Sequence, residues 1–195
     1  MTEKVIVIID AGFLSKLSKY YGSGKYLKYD IIQLSKNISK KQNLHCEKIF
    51  YYTSPPFQSE RSTAEEKDRY KGYKKFKEKL SKHPLITLRE GRCQRLKIDG
   101  NFEYKQKGVD ALAIIDMMSV PIEYPEVKTI ILIANDSDFV PVVEKLKSLG
   151  IKIILLTYYS KNRRSSFSKS NELLKSVSEY FELTKEDFDS SPISI

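Results

Sequence analysis

Two short apolar runs constrain this chain more than any other feature: KVIVIID at Lys4–Asp10 and TIILIA at Thr129–Ala134. Both are rich in β-branched residues, as strands are when helices cover both faces of a sheet. Each run leads straight into acid. The first ends on Asp10, and the second continues into Asn135, Asp136, Ser137 and Asp138. Helical spacing follows both, with Phe13, Leu14 and Leu17 after the first and Phe139, Val142, Val143 and Leu146 after the second. Pro141 is tolerated in a first helical turn, and Gly150 stands where a C-terminal cap belongs. A strand, a tight acidic turn and a helix, twice over, would set carboxylates on the C-terminal edge of a parallel sheet, where open α/β folds bind ligands. A structural reading is equally available: Asp10 and Asp138 as helix caps, Asp136 as the brace of its own turn. These two stretches leave both readings open.

The remaining pattern extends the alternation. A helix is predicted over Tyr29–Lys41, a strand over Leu44–Tyr52 ended by Ser54-Pro55-Pro56, and a long helix over Ser62–Ser81 with Tyr70, Tyr73, Phe76 and Leu80 facing inward. Leu85–Arg92 reads as a strand, Cys93–Gln106 as a turn or hairpin excursion around Asp99-Gly100-Asn101, and Ile151–Thr157 as a further apolar strand. Tyr20–Tyr29, with Gly22 and Gly24, reads as a mobile loop without phosphate-loop spacing. A short helix at Leu173–Val177 and a last strand at Tyr180–Leu183 complete the series. The result is an α/β chain with a mostly parallel sheet and helices on both faces, in one domain over residues 1–183. The serine-rich tail at 184–195 is expected to fray.

Composition narrows the class. No apolar run is long enough for a membrane span, and the N-terminus enters a strand without a signal pattern, so a soluble, cytoplasmic protein is expected. Cys46 and Cys93 lack zinc-ligand spacing and read as buried or half-buried thiols. The formal charge of +9 favours polyanionic partners, nucleic acid foremost, or serves only solubility. The basic residues concentrate in Arg61–Lys82, where Arg69, Lys71, Lys74 and Lys75 could hold a phosphate backbone, and in Lys161–Lys169. In the second stretch Tyr158, Tyr159, Lys161, Arg163, Arg164 and Phe167 interleave rings and cations, a pattern suited to single-stranded nucleic acid or to an ordinary polar loop.

Lys107–Val120, KGVDALAIIDMMSV, predicts a helix with Gly108 at its start and Leu112, Ala113, Ile114, Met117 and Met118 toward the core. Asp110 falls in the first turn, where the helix dipole favours a carboxylate. Asp116 lies about 240° further round at 100° per residue and does not share its face, so Asp110 is the site candidate and Asp116 a structural one. Asp10, Asp110, Asp136 and Asp138 can then meet at one crevice. Carboxylates packed without counter-charge raise one another's pKa, which suits a site built for a divalent cation. Oxygen-only ligands match Mg2+ or Mn2+. His45 and His83 lie on other segments and read as surface residues.

IVIIDAGF, QKGVDALAIIDMM and ILIANDSDFVPVVEKLKSLGIKIILL, followed by Ser170-x-x-Leu173, together resemble the NYN domain, the PIN-like nuclease group that includes the LabA-like proteins. The resemblance runs from about Lys4 to Leu183. It implies a PIN-like, Rossmann-like fold and a Mg2+- or Mn2+-dependent (endo)ribonuclease, with endo- or exonucleolytic cutting left open. Asp10, Asp110 and Asp136 would be catalytic metal ligands, with Asp138 a fourth catalytic acid. Lys107, Lys161, Arg163 and Arg164 would bind the RNA backbone, single-stranded RNA foremost, and homo-oligomerisation is open. The chain departs from the family pattern at Phe13, where many members carry asparagine, and at Asn135, where most carry glycine. These departures motivate an alternative, a non-catalytic RNA-binding or regulatory module. A phosphatase acting on small esters through the same acids is a third reading.

Overall fold

The computed structural model describes residues 2–160, 167 and 169–193. Its centre is β1 (Lys4–Asp10), whose residues Val5 to Ile9 are fully buried. Alternation along an extended strand sends Val5, Val7 and Ile9 to one face and Ile6 and Ile8 to the other, and each set enters a different core. That two-sided burial explains the uninterrupted apolar run.

Helices α1 (Ala11–Tyr21) and α2 (Ile31–Lys41) cover the first face, and β2 (His45–Thr53) pairs with β1. Helix α3 (Ala64–Ser81) leads to β3 (Ile86–Glu90). An antiparallel hairpin of β4 (Arg92–Ile98) and β5 (Asn101–Lys107) follows, outside the main sheet. Its two-residue turn is Asp99-Gly100, both at positive φ, the geometry that matches the twist of paired strands. Helix α4 (Val109–Glu123) returns to β6 (Thr129–Ile133). A 3-10 turn (Ser137–Phe139), α5 (Val140–Ser148), β7 (Lys152–Thr157), α6 (Asn171–Ser176) and β8 (Glu179–Glu182) complete the second half. The six-stranded sheet runs β3-β2-β1-β6-β7-β8 with every neighbouring pair parallel. The chain reverses its direction of winding between β1 and β6, and in such sheets the crevice beyond those two strand ends is the ligand site.

Three sequence expectations change. Past Leu183, where fraying was expected, the chain forms α7 (Lys185–Asp189), held by a capping box between Thr184 and Asp187 and by the Lys41–Asp187 ion pair at 2.5 Å. Phe188, 1% exposed, packs its ring on Tyr21 and Tyr29. The stripe Tyr70, Tyr73, Phe76, Leu80 is only partly inward: Leu80 and Glu66 are the buried residues of α3, because that helix lies over β3 at the sheet edge. The 20–29 segment is tied down, with the Leu27 N–H donating to Ser18 Oγ and the Tyr21 hydroxyl to the Leu183 carbonyl. No helix among the described residues is long and apolar enough to cross a membrane.

Candidate metal centre

Asp10 stands at the C-terminal end of β1 and caps α1, its Oδ1 accepting the Gly12 N–H at 2.8 Å. The capping role read from sequence is therefore met, and it occupies one carboxylate oxygen. Burial pushes the Asp10 carboxyl up to about 6. The Phe13 and Gly12 backbone N–H groups pull against this, and the charges of Asp110 and Asp136 add to it.

Asp136 lies beyond the end of β6, and its Oδ1 accepts the Asp138 N–H at 3.0 Å. Asp110 sits in the first turn of α4, which begins at Gly108 in the left-handed conformation, φ +78. Its pKa is raised, by partial burial first and then by Asp136 and Asp138. One carboxylate oxygen from each of Asp110, Asp136 and Asp138 lies within 4.8 Å of the other two. Asp10 flanks this group across a shared cleft of about 760 Å³, whose lining includes Asp10, Asp110, Asp136, Asn135, Gln106 and Lys16.

The other sequence-predicted residues separate. Asp116, on the same helix as Asp110, is buried on a different face. It receives Arg89 through Nε and a terminal nitrogen at 2.9 and 2.7 Å, and the Tyr52 hydroxyl at 2.9 Å. Lys107 is exposed at the root of the hairpin, next to Gly108. Lys161, Arg163 and Arg164 lie outside the described residues.

Among the described residues, cleft-lining side chains that the sequence reading did not assign to the site include Lys16, Gln106, Lys169 and Glu172. Lys16 lies six residues past Asp10, about 240° further round at 100° per residue, so helical spacing alone does not bring it to the cleft. Gln106 depends on where the hairpin folds back. Its Oε1 is 3.4 Å from the position a Cβ would take on Gly12, beside the Asp10 carboxylate. Of the two departures, Phe13 is 7% exposed and edge-on to Phe167, and both rings border the cleft. Asn135 enters the cleft lining, and its Oδ1 accepts the Thr157 hydroxyl at 3.2 Å.

The donor set fits a hard divalent cation. Three carboxylates from two segments converge, and among the described residues none of the four aspartates forms an ion pair with a lysine or arginine. Like charges so placed repel unless a cation or protons compensate them. Oxygen ligands alone suit Mg2+ or Mn2+ in preference to the softer metals.

A parallel α/β sheet flanked by helices, with acids gathered at its switch point, has a Rossmann-like architecture. The NYN domain pattern matches residues 4–184, and the chain belongs to the NYN domain family. A sequence comparison with curated proteins gives no match. In structure the chain is similar to a protein of unknown function, VPA0982, from Vibrio parahaemolyticus RIMD 2210633, with a TM-score of 0.58 and 14% identity over 96% of each chain. That likeness concerns the fold.

Proposed function

We propose that this chain is a divalent-metal-dependent ribonuclease of the LabA-like, PIN-like kind, cutting phosphodiester bonds of single-stranded RNA internally. The observation that carries the reading is the convergence of Asp110, Asp136 and Asp138 within 4.8 Å at the sheet's switch point, in a member of the NYN family. Asp110 and Asp136 would hold a Mg2+ or Mn2+ ion together with Asp10, and Asp138 would orient the attacking water or complete the ligand set. Such an ion supplies Lewis-acid polarisation of the phosphate and a nucleophile competent at neutral pH. The chain's own contribution is placement. Asp10 and Asp136 are each fixed by a backbone N–H two residues on, which leaves little reorganisation for the reaction itself. Lys16 and Lys169 on the cleft wall, with Lys107 and the basic 161–164 segment, would engage the RNA backbone without reading sequence.

The non-catalytic alternative rests on Phe13. Its ring lies in the aromatic cluster with Phe167, where other members offer an amide. The deciding experiment incubates end-labelled single-stranded RNA with the purified protein in Mn2+, Mg2+ or EDTA. Cutting with either metal and none in EDTA is expected; RNA binding with no cutting under any condition would establish the binding module instead.

A further inference from the structure

We infer that the β4–β5 hairpin is a strand-guiding arm, one face of which stacks the unpaired bases of the RNA leading to the acidic cleft. The inference rests on the nuclease reading above for the direction of the path. Residues opposite each other in an antiparallel pair share a face, and the register pairs Cys93 with Gln106, Arg95 with Tyr104 and Lys97 with Phe102. One face of the hairpin therefore begins at Gln106, in the cleft beside Asp10. It continues through Tyr104 and Arg95 to Phe102 and Lys97, a run of roughly 14 Å at strand spacing.

That face has the chemistry of a single-strand platform. Phe102 and Tyr104 are 55% and 50% exposed, a large exposure for two rings on one short strand. The Arg95 guanidinium lies between the rings of Phe57 and Phe102, 4.6 and 4.5 Å from their centroids, and Tyr104 packs against Phe57 at 5.8 Å. Arg95 also approaches Glu66 at 4.0 Å, so the platform is braced against the body of the protein through a residue that itself stacks. The hairpin carries five basic side chains against two acidic ones. Aromatic rings bind bases of any sequence while neighbouring cations follow the phosphates. The sheet core has no use for this face: the hairpin lies outside the six-stranded sheet, and every residue of β5 is exposed. Gly91 sets the root of the arm, since a Cβ there would meet the Lys107 carbonyl at 2.5 Å. The arm's exit thus adjoins Gly108 and the helix that carries Asp110.

The test compares wild type with a Phe102→Ala/Tyr104→Ala variant, and with Tyr104→Trp, which retains a stacking ring. Binding of a fluorescent single-stranded RNA in EDTA, binding of duplex RNA of equal length, and Mn2+-dependent cleavage of both RNA and a chromogenic phosphodiester are measured in parallel. Loss of both rings should weaken single-strand binding about 5- to 150-fold per ring, duplex binding should change little, and Tyr104→Trp should bind as wild type. Chromogenic ester cleavage should be unchanged, since the acids are untouched. Single-strand affinity unchanged in the double variant overturns the arm while leaving the nuclease reading intact. Arm-dependent binding with no cleavage by wild type overturns the nuclease reading and leaves the arm supported. If the double variant shifts the sedimentation coefficient and not the RNA affinity, the face is a contact between copies of the chain and the assignment falls.

Discussion

The Asp136 carboxylate accepts the backbone N–H of Asp138 at 3.0 Å, and the two carboxylates it thereby brings together also meet Asp110 within 4.8 Å. The turn bond and the ligand geometry are thus one arrangement. A cap uses one oxygen of a carboxylate and leaves the other available, so the structural and chemical readings of these strand-end acids do not compete. The same holds at Asp10, whose Oδ1 receives Gly12.

Replacing Asp10 by asparagine should stabilise the metal-free protein at neutral pH while abolishing cleavage. Burial raises the Asp10 carboxyl from its ordinary 3.8 to about 6, so between those values the folded state binds more protons than the unfolded one. Stability then falls as pH rises through that window, and the full cost is present above it. The substituted amide would keep an acceptor for the Gly12 N–H and lose the charge. Thermal melts in EDTA at pH 7 should place Asp10→Asn roughly 6–12 °C above wild type, converging with it near pH 4. A variant melting below wild type at pH 7 would show that the ionised carboxylate is stabilising.

Gly91→Ala should loosen the site from a distance. The added Cβ would lie 2.5 Å from the Lys107 carbonyl and 2.7 Å from Val109 Cγ2, and the backbone there cannot yield without moving the start of α4. Overpacking of this kind costs about 1–3 kcal/mol. Urea titration should show that loss, and the turnover of RNA should fall with it because Asp110 follows Val109 directly. Unchanged stability and turnover would mean that the hairpin root adjusts freely.

Much of this is legible in the sequence. The strand runs, the acidic turns and the helix starting at Gly108 carry their signals locally, in periodicity and capping residues. The different faces of Asp110 and Asp116 follow from helix geometry alone. The tail departs from expectation because its order depends on distant partners: the serines around it suggest solvent, while Phe188 is buried against Tyr21 and Tyr29. The α3 stripe reads as amphipathic, yet burial there depends on the sheet ending at β3. Gln106 reaches the cleft through the fold-back of a hairpin whose register the sequence does not display. Lys16, six residues past Asp10, is likewise placed in the cleft by the fold and not by its spacing.

Phe188→Ala tests whether the tail belongs to the core. The ring is 1% exposed, and truncating a buried phenylalanine costs about 3–5 kcal/mol. Chemical denaturation should register a loss of that order with RNA cleavage per folded molecule retained. A midpoint equal to wild type would return the segment to the frayed state expected from its composition.

The most direct test of the central claim separates two aspartates of one helix. Single-turnover cleavage of labelled single-stranded RNA in Mn2+ would be measured for wild type, Asp110→Asn and Asp116→Asn, each normalised to folded protein. Asp116→Asn weakens the bond to Arg89 and should cost about 1–3 kcal/mol of stability, with a rate near wild type. Asp110→Asn should fold normally and cut at least about 10-fold more slowly, the smallest loss seen when even a ligand's orienting partner is removed. Cleavage by Asp110→Asn at the wild-type rate would contradict the assignment of chemistry to the acidic cluster.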